Sequence, residues 1–210
     1  SNGKRVAIDG SDLPTHSGIR YNDVWGYADC SGREYAILGS AGRIHFIDVT
    51  KPDEPVEIQS FPGSANSIWR DYKTYRDRAY ACADQGADGL MVFDLSRLPD
   101  TVVMTYQNNL VFQRSHNLWI DTLQGRLYMA GTNTQGNGVI IYDLTQNPDA
   151  PQLLASVPLP GGYIHDIHVV NPPYAPRPKL YRPPDAGSDQ ARPPVPAKMI
   201  TCFAAVYAHP

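Results

Sequence analysis

Three of the chain's six histidines, His116, His165 and His168, lie close to Asn117 and Asp166 in short polar segments. Imidazole nitrogen with a carboxylate oxygen is a ligand set for zinc or another first-row transition metal, whereas calcium would draw on the Asp and Asn oxygens and avoid imidazole. The set that suits a divalent metal here is His116, His165 and Asp166. A water bound to such a metal is a nucleophile for hydrolysis, and Arg70 would stabilise an anionic intermediate. Two residues oppose this chemistry: His165 and His168 are three apart, so on a strand they face opposite sides. The sequence also holds no Gly-x-Ser-x-Gly, no His-Glu-x-x-His and no phosphate-cradling loop.

What positions these side chains is a repeat. Ile44-His45-Phe46-Ile47-Asp48-Val49-Thr50, Leu90-Met91-Val92-Phe93-Asp94-Leu95-Ser96 and Val139-Ile140-Ile141-Tyr142-Asp143-Leu144-Thr145 share one pattern, with the Asp residues 46 and 49 apart. Upstream of each lies an Arg-led apolar run at Arg33, Arg78 and Arg126, then a glycine-containing turn: Gly39 to Gly42, Asp84 to Gly89, Gly131 to Gly138. Downstream come the proline turns Lys51-Pro52-Asp53, Leu98-Pro99-Asp100 and Asn147-Pro148-Asp149, and a further run. Such runs and turns predict about four antiparallel strands per period, the unit of a β-propeller blade. A four-stranded sheet buries its faces only by stacking on neighbours, which accounts for apolar third strands covered on both sides. The fold class is therefore all-β, a propeller with four-stranded blades, either as a whole ring or as a partial, incomplete one.

Aligning the repeats gives two columns at the start of the innermost strands. The first reads Asn22, Arg70, His116, His165; the second reads Asp23, Asp71, Asn117, Asp166. Alternation along a strand puts the columns on different faces, the second sharing its side with Trp25, Lys73, Trp119 and His168. Asp or Asn recurring in every blade reads first as a turn cap or an acceptor for backbone N–H. With His168, the two columns form the candidate central mouth. Trp25, Tyr27, Trp69, Tyr72 and Trp119 offer either a ledge for sugar or peptide or wedge packing between blades.

The repeat resembles the LVIVD-repeat family. Asn22-Asp23-Val24-Trp25-Gly26-Tyr27, Trp69-Arg70-Asp71, Ser115-His116-Asn117 and Tyr163-Ile164-His165-Asp166 resemble more narrowly the choice-of-anchor B type of bacterial surface protein. The resemblance covers residues 4 to about 170. It implies a secreted or surface-displayed propeller, outside the cytoplasm, with its signal peptide not in this chain.

Segmentation follows: residues 1–20 lead in, with Lys4 to Asp9 as a candidate outer strand for the last blade, and 21–170 hold about three and a half repeats. Residues 171–198 carry nine prolines and read as a linker without fixed structure, and 199–210 form a short apolar tail able to add one strand. Closure then needs a latch, further sequence, or association between chains. A net charge of −3 from 18 Lys+Arg and 21 Asp+Glu in 210 residues argues against nucleic acid, and no apolar run is long enough for membrane insertion. Three cysteines without ligand spacing make neither a disulfide framework nor a zinc knuckle; Cys82 reads as a small core residue and Cys30 as the exposed thiol. The functional expectation is a binding or scaffold module presenting a polar mouth to a protein, small-molecule or carbohydrate ligand. Its alternative is the metal-dependent hydrolase above.

Overall fold

The computed structural model describes residues 13–134, 136, 138–159, 162–170 and 201–206. The expected latch at Lys4 to Asp9 and the proline-rich stretch 171–198 lie outside them. Strands β1 (Tyr21–Ala28), β2 (Glu34–Ser40), β3 (Arg43–Asp48) and β4 (Val56–Pro62) form blade I, antiparallel in chain order. Blade II is β5 (Arg70–Tyr75), β6 (Arg78–Ala83), β7 (Leu90–Asp94) and β8 (Val103–Asn108). Blade III is β9 (Asn117–Asp121), β10 (Arg126–Ala130), β11 (Val139–Asp143) and β12 (Gln152–Val157). A fourth inner strand, β13 (Ile164–Val170), pairs antiparallel with β14 (Thr201–Val206). The fold is all-β and blade-like, and the described residues do not close the ring.

The inner strands β1, β5, β9 and β13 lie side by side in that order. Between blades I and II pack Ile44, Phe46, Met91, Phe93 and Phe61. Phe46, Phe61 and Phe93 form an aromatic trio with ring centroids 4.9 to 5.9 Å apart. Leu90 and Val92 turn the other way, onto Ile140 and Tyr142 of blade III. Val139 and Ile141 then cover the Ile164, Ile167 and Val169 side of β13. Alternate residues of β7 and of β11 thus meet different neighbours, and this is why their third-strand runs are apolar without a break.

The recurrence of Asp at the end of each third strand has a bonding reason. Asp48, Asp94 and Asp143 each use Oδ1 to accept the N–H two residues on, from Thr50 (2.9 Å), Ser96 (2.8 Å) and Thr145 (2.6 Å). Each also meets the arginine that leads the neighbouring strand: Arg33–Asp48 at 3.2 Å, Arg78–Asp94 at 2.9 Å, and Arg126–Asp143. One carboxylate therefore closes a turn and ties two strands in every blade. The three sheets also share a bulge against the outer strand at one repeat position, Phe46/Ile47, Val92/Phe93 and Ile141/Tyr142.

Glycine is required where blades approach closely. Gly131 has φ +64°, and a Cβ there would stand 2.6 Å from the Ile164 carbonyl oxygen of β13. Within blade II, Gly89, at φ +65°, would drive a Cβ into the Asn108 carbonyl of the adjacent outer strand.

Candidate functional site

The two columns do face opposite neighbours, as strand alternation requires. From the first column, Arg70 reaches back to blade I, donating to the Ser40 and Ala41 carbonyls, and His116 reaches back to blade II, its Nδ1 2.8 Å from Asp84 Oδ2. From the second, Asp71 reaches forward, its Oδ2 accepting the Leu118 N–H of blade III at 2.8 Å. Two residues further along, Trp25 Nε1 donates to Thr74 Oγ1 and Trp119 Nε1 to the Val169 carbonyl, each again one blade ahead. These two indoles serve blade-to-blade packing.

At the inner-strand ends the columns meet around a cavity of about 400 Å³ lined by Asn22, Asp23, Trp69, Arg70, Asp71 and Lys73, with Ile68, His116 and Asn117 completing the wall. Two inner strands depart from plain alternation here. A bulge lies between Tyr21 and Val24 in β1, spanning Asn22 and Asp23, and another between Ile164 and Asp166 in β13, at His165. Each extra residue re-aims a side chain at the same repeat position. In blade I this sends the Asn22 amide forward, to the Ser67 carbonyl at 3.0 Å.

The electrostatics are dense. Lys73 Nζ lies 2.6 Å from Asp71 Oδ1, donates to the Tyr72 carbonyl, and sits 4.4 Å from the centre of the Trp25 ring. Asp71 also accepts the Tyr72 N–H. Burial and then the adjacent Asp71 carboxyl push the Asp23 carboxyl up to about 6, with Lys73 and the Val24 N–H opposing. Asn22 Oδ1 and Asp23 Oδ2 are buried acceptors with no donor.

The expected role of Arg70 at an anionic intermediate is corrected by its surroundings. Its side chain is 0% exposed, with Nη1 3.4 Å from Asp88 Oδ2 and Nη2 donating to the Ala65 carbonyl. All three guanidinium nitrogens are spent on the blade I–II junction.

For the metal set, His116 and His165 do come together, ring centroids 4.0 Å apart, but each turns Nδ1 to its own carboxylate, Asp84 and Asp166, both at 2.8 Å. Among the described residues no group of three or more His, Cys, Asp or Glu is arranged to hold a metal ion. His168 stands apart from the mouth, its ring 4.2 Å from Trp119. Cys82 is buried, which pushes its thiol up, and Cys30 is exposed.

Sequence reading missed Asp84 and Asp88, the carboxylates that hold His116 and Arg70. Both stand in the β6–β7 turn, where only the glycines had drawn notice. Trp69 differs from the other tryptophans: it is 47% exposed, with its ring 6.2 Å from that of His116. Tyr163 lies beside His116, ring centroids 5.9 Å apart, its hydroxyl donating to Asp84 Oδ2 at 3.3 Å.

No family model matches this chain, and no curated protein matches it. Among solved structures, it is similar to a chain in the complex of the fission yeast SREBP-SCAP binding domains, at 14% identity and a TM-score of 0.49. That match covers 75% of this chain and 42% of the other, so the chain spans less than half the length of that relative.

Proposed function

We propose that the chain is a binding module in which stacked blades hold a polar mouth open to a ligand or protein partner. The observation that carries this reading is the cavity at the inner-strand ends, rimmed by an indole that makes no packing contribution comparable to those of Trp25 and Trp119. Packing a propeller does not require an exposed tryptophan at the inner-strand ends. The test is a screen of peptides, saccharides and small molecules that follows the Trp69 indole resonance. A ligand that moves this resonance and loses affinity in Trp69→Ala supports the module; ligands that bind only elsewhere overturn it.

The motifs quoted for the choice-of-anchor B likeness support membership of that group and a place outside the cytoplasm. Fractionating cells that express the full-length gene tests the location, and recovery in the cytoplasm alone refutes it. The hydrolase alternative retains one observation in its favour: Asp84 holds Nδ1 of His116, as carboxylates do for metal-binding imidazoles. Stoichiometric zinc together with esterase, lactonase or phosphatase turnover would favour it over simple binding.

A further inference from the structure

Val24 differs from its counterparts in the other blades. The repeat aligns it with Tyr72, Leu118 and Ile167, all three buried, yet Val24 is 55% exposed. Each buried counterpart lies on the side of its inner strand that faces the preceding blade, in a core cluster with that blade's second strand: Tyr72 with Ile37 of β2, Leu118 with Cys82 of β6, and Ile167 with Ala130 of β10. Val24 has the same orientation, opposite to that of Trp25, which reaches ahead to Thr74. Two residues on, Gly26 is also exposed, and a Cβ added there would meet nothing within 4 Å. β1 therefore presents one half of a blade joint, uncovered.

The other half lies at the opposite end of the arc. On β13, Ile167 and Val169 are buried toward blade III, while Asp166 and His168, which alternate with them, are exposed. Their counterparts on β5, where another blade follows, are Asp71 and Lys73, both nearly buried. His168 holds the repeat position of Trp25 and Trp119, whose indoles each bond one blade ahead, to Thr74 and Val169. Thr74 and Val169 are in turn the counterparts of Gly26. The next step of that series sets His168 over Gly26, where the backbone is bare.

Scattered exposed apolar side chains need no partner. What calls for one here is that the exposed sides of β1 and β13 are the two halves of a joint the chain already makes between β1 and β5, β5 and β9, and β9 and β13. Both halves stay exposed in one chain, so the joint between them is not made within it. We propose that a second copy of this chain docks its β13 side onto the Val24–Gly26 side of β1. Each copy gives and receives the same contact, so both joints form together and the pair closes a ring of eight inner strands, within the range in which propellers close. Val24 then packs against β14 of the second copy, and His168 of the second copy covers Gly26. This association is independent of any ligand at the mouth.

Sedimentation velocity on the 210-residue chain tests it, with a dimer as the expected species at micromolar concentration. Val24→Glu, which places a charge in the joint at a site exposed in the single chain, should raise the dissociation constant about tenfold or more while leaving the far-UV circular dichroism unchanged. Leu153→Glu, exposed on β12 and outside the joint, should leave association as it is. Disulfide trapping reads the geometry: in a background with Cys30 and Cys202 replaced by serine, chains carrying only Gly26→Cys mixed with chains carrying only His168→Cys should give a cross-linked pair. A chain that stays monomeric, or a dimer that Val24→Glu does not weaken, overturns the proposal. So does a chain carrying both cysteines that cross-links at monomer mass, because β13 then closes on β1 of its own chain.

Discussion

Asp71 and Leu118 join blades II and III: the carboxylate Oδ2 of one accepts the backbone N–H of the other at 2.8 Å, with Asp71 almost fully buried. The same carboxylate holds the Lys73 ammonium through Oδ1. Removing it strands a buried donor and a nearly buried cation together. Asp71→Ala should therefore lower unfolding free energy by roughly 3–5 kcal/mol, and Asp71→Asn by less, since an amide oxygen can still accept from Leu118. Urea denaturation of the two variants checks this; equal, sub-kilocalorie losses would refute it.

Asp23 carries the opposite expectation. Its folded-state carboxyl is raised above the ordinary value of roughly 4 to about 6, so its contribution is fully present below pH 4 and is lost as pH rises through 6. Asp23→Asn removes that loss. At pH 7 the variant should be more stable than the parent, on the order of 1 kcal/mol given partial exposure, and the difference should vanish below pH 4. Thermal melts across pH 4 to 8 read the trend directly.

Asp149 works in the acid range. The Arg78 guanidinium grips it at two points, Nε to Oδ1 at 2.6 Å and Nη2 to Oδ2 at 3.1 Å, and holds the carboxyl below its usual value. Stability from a depressed carboxyl is present above its unfolded value near 4 and disappears as pH falls through the folded one. Arg78→Met should accordingly move acid unfolding to higher pH, as followed by circular dichroism. An unchanged acid midpoint would exclude the clasp as a contributor.

Phe93 lies fully buried in the aromatic trio between blades I and II. Truncation to alanine leaves a wedge-shaped cavity that neighbouring sheets cannot easily fill, and should cost about 3–5 kcal/mol. Leu153→Ala on the outer strand, where the side chain is 43% exposed, should change stability far less. Denaturant midpoints of the pair separate core from edge.

Much of this architecture was readable from the chain because it rests on period and local bonding. The Asp-x-hydroxyl turns, the leading arginines and the glycine loops recur at fixed spacing, and the buried third strands announce themselves by unbroken apolar runs. Polar assignments at the mouth were harder. Arg70 looked available for anions because residue type alone does not reveal Asp88, eighteen residues away, or the carbonyls around it. His116 likewise finds Asp84 across a blade boundary, a pairing with no periodic signature. The bulges at Asn22–Asp23 and His165 were invisible for another reason: one additional residue in a strand changes aim without changing composition.

The contacts linking inner strands also carry a polarity. Asp71, Trp25 and Trp119 all reach toward the following unit, so the leading and trailing faces of a blade are chemically unlike. Such surfaces join front to back. Twofold, face-to-face pairing would set like against like, whereas head-to-tail addition could extend the same stitching to further blades.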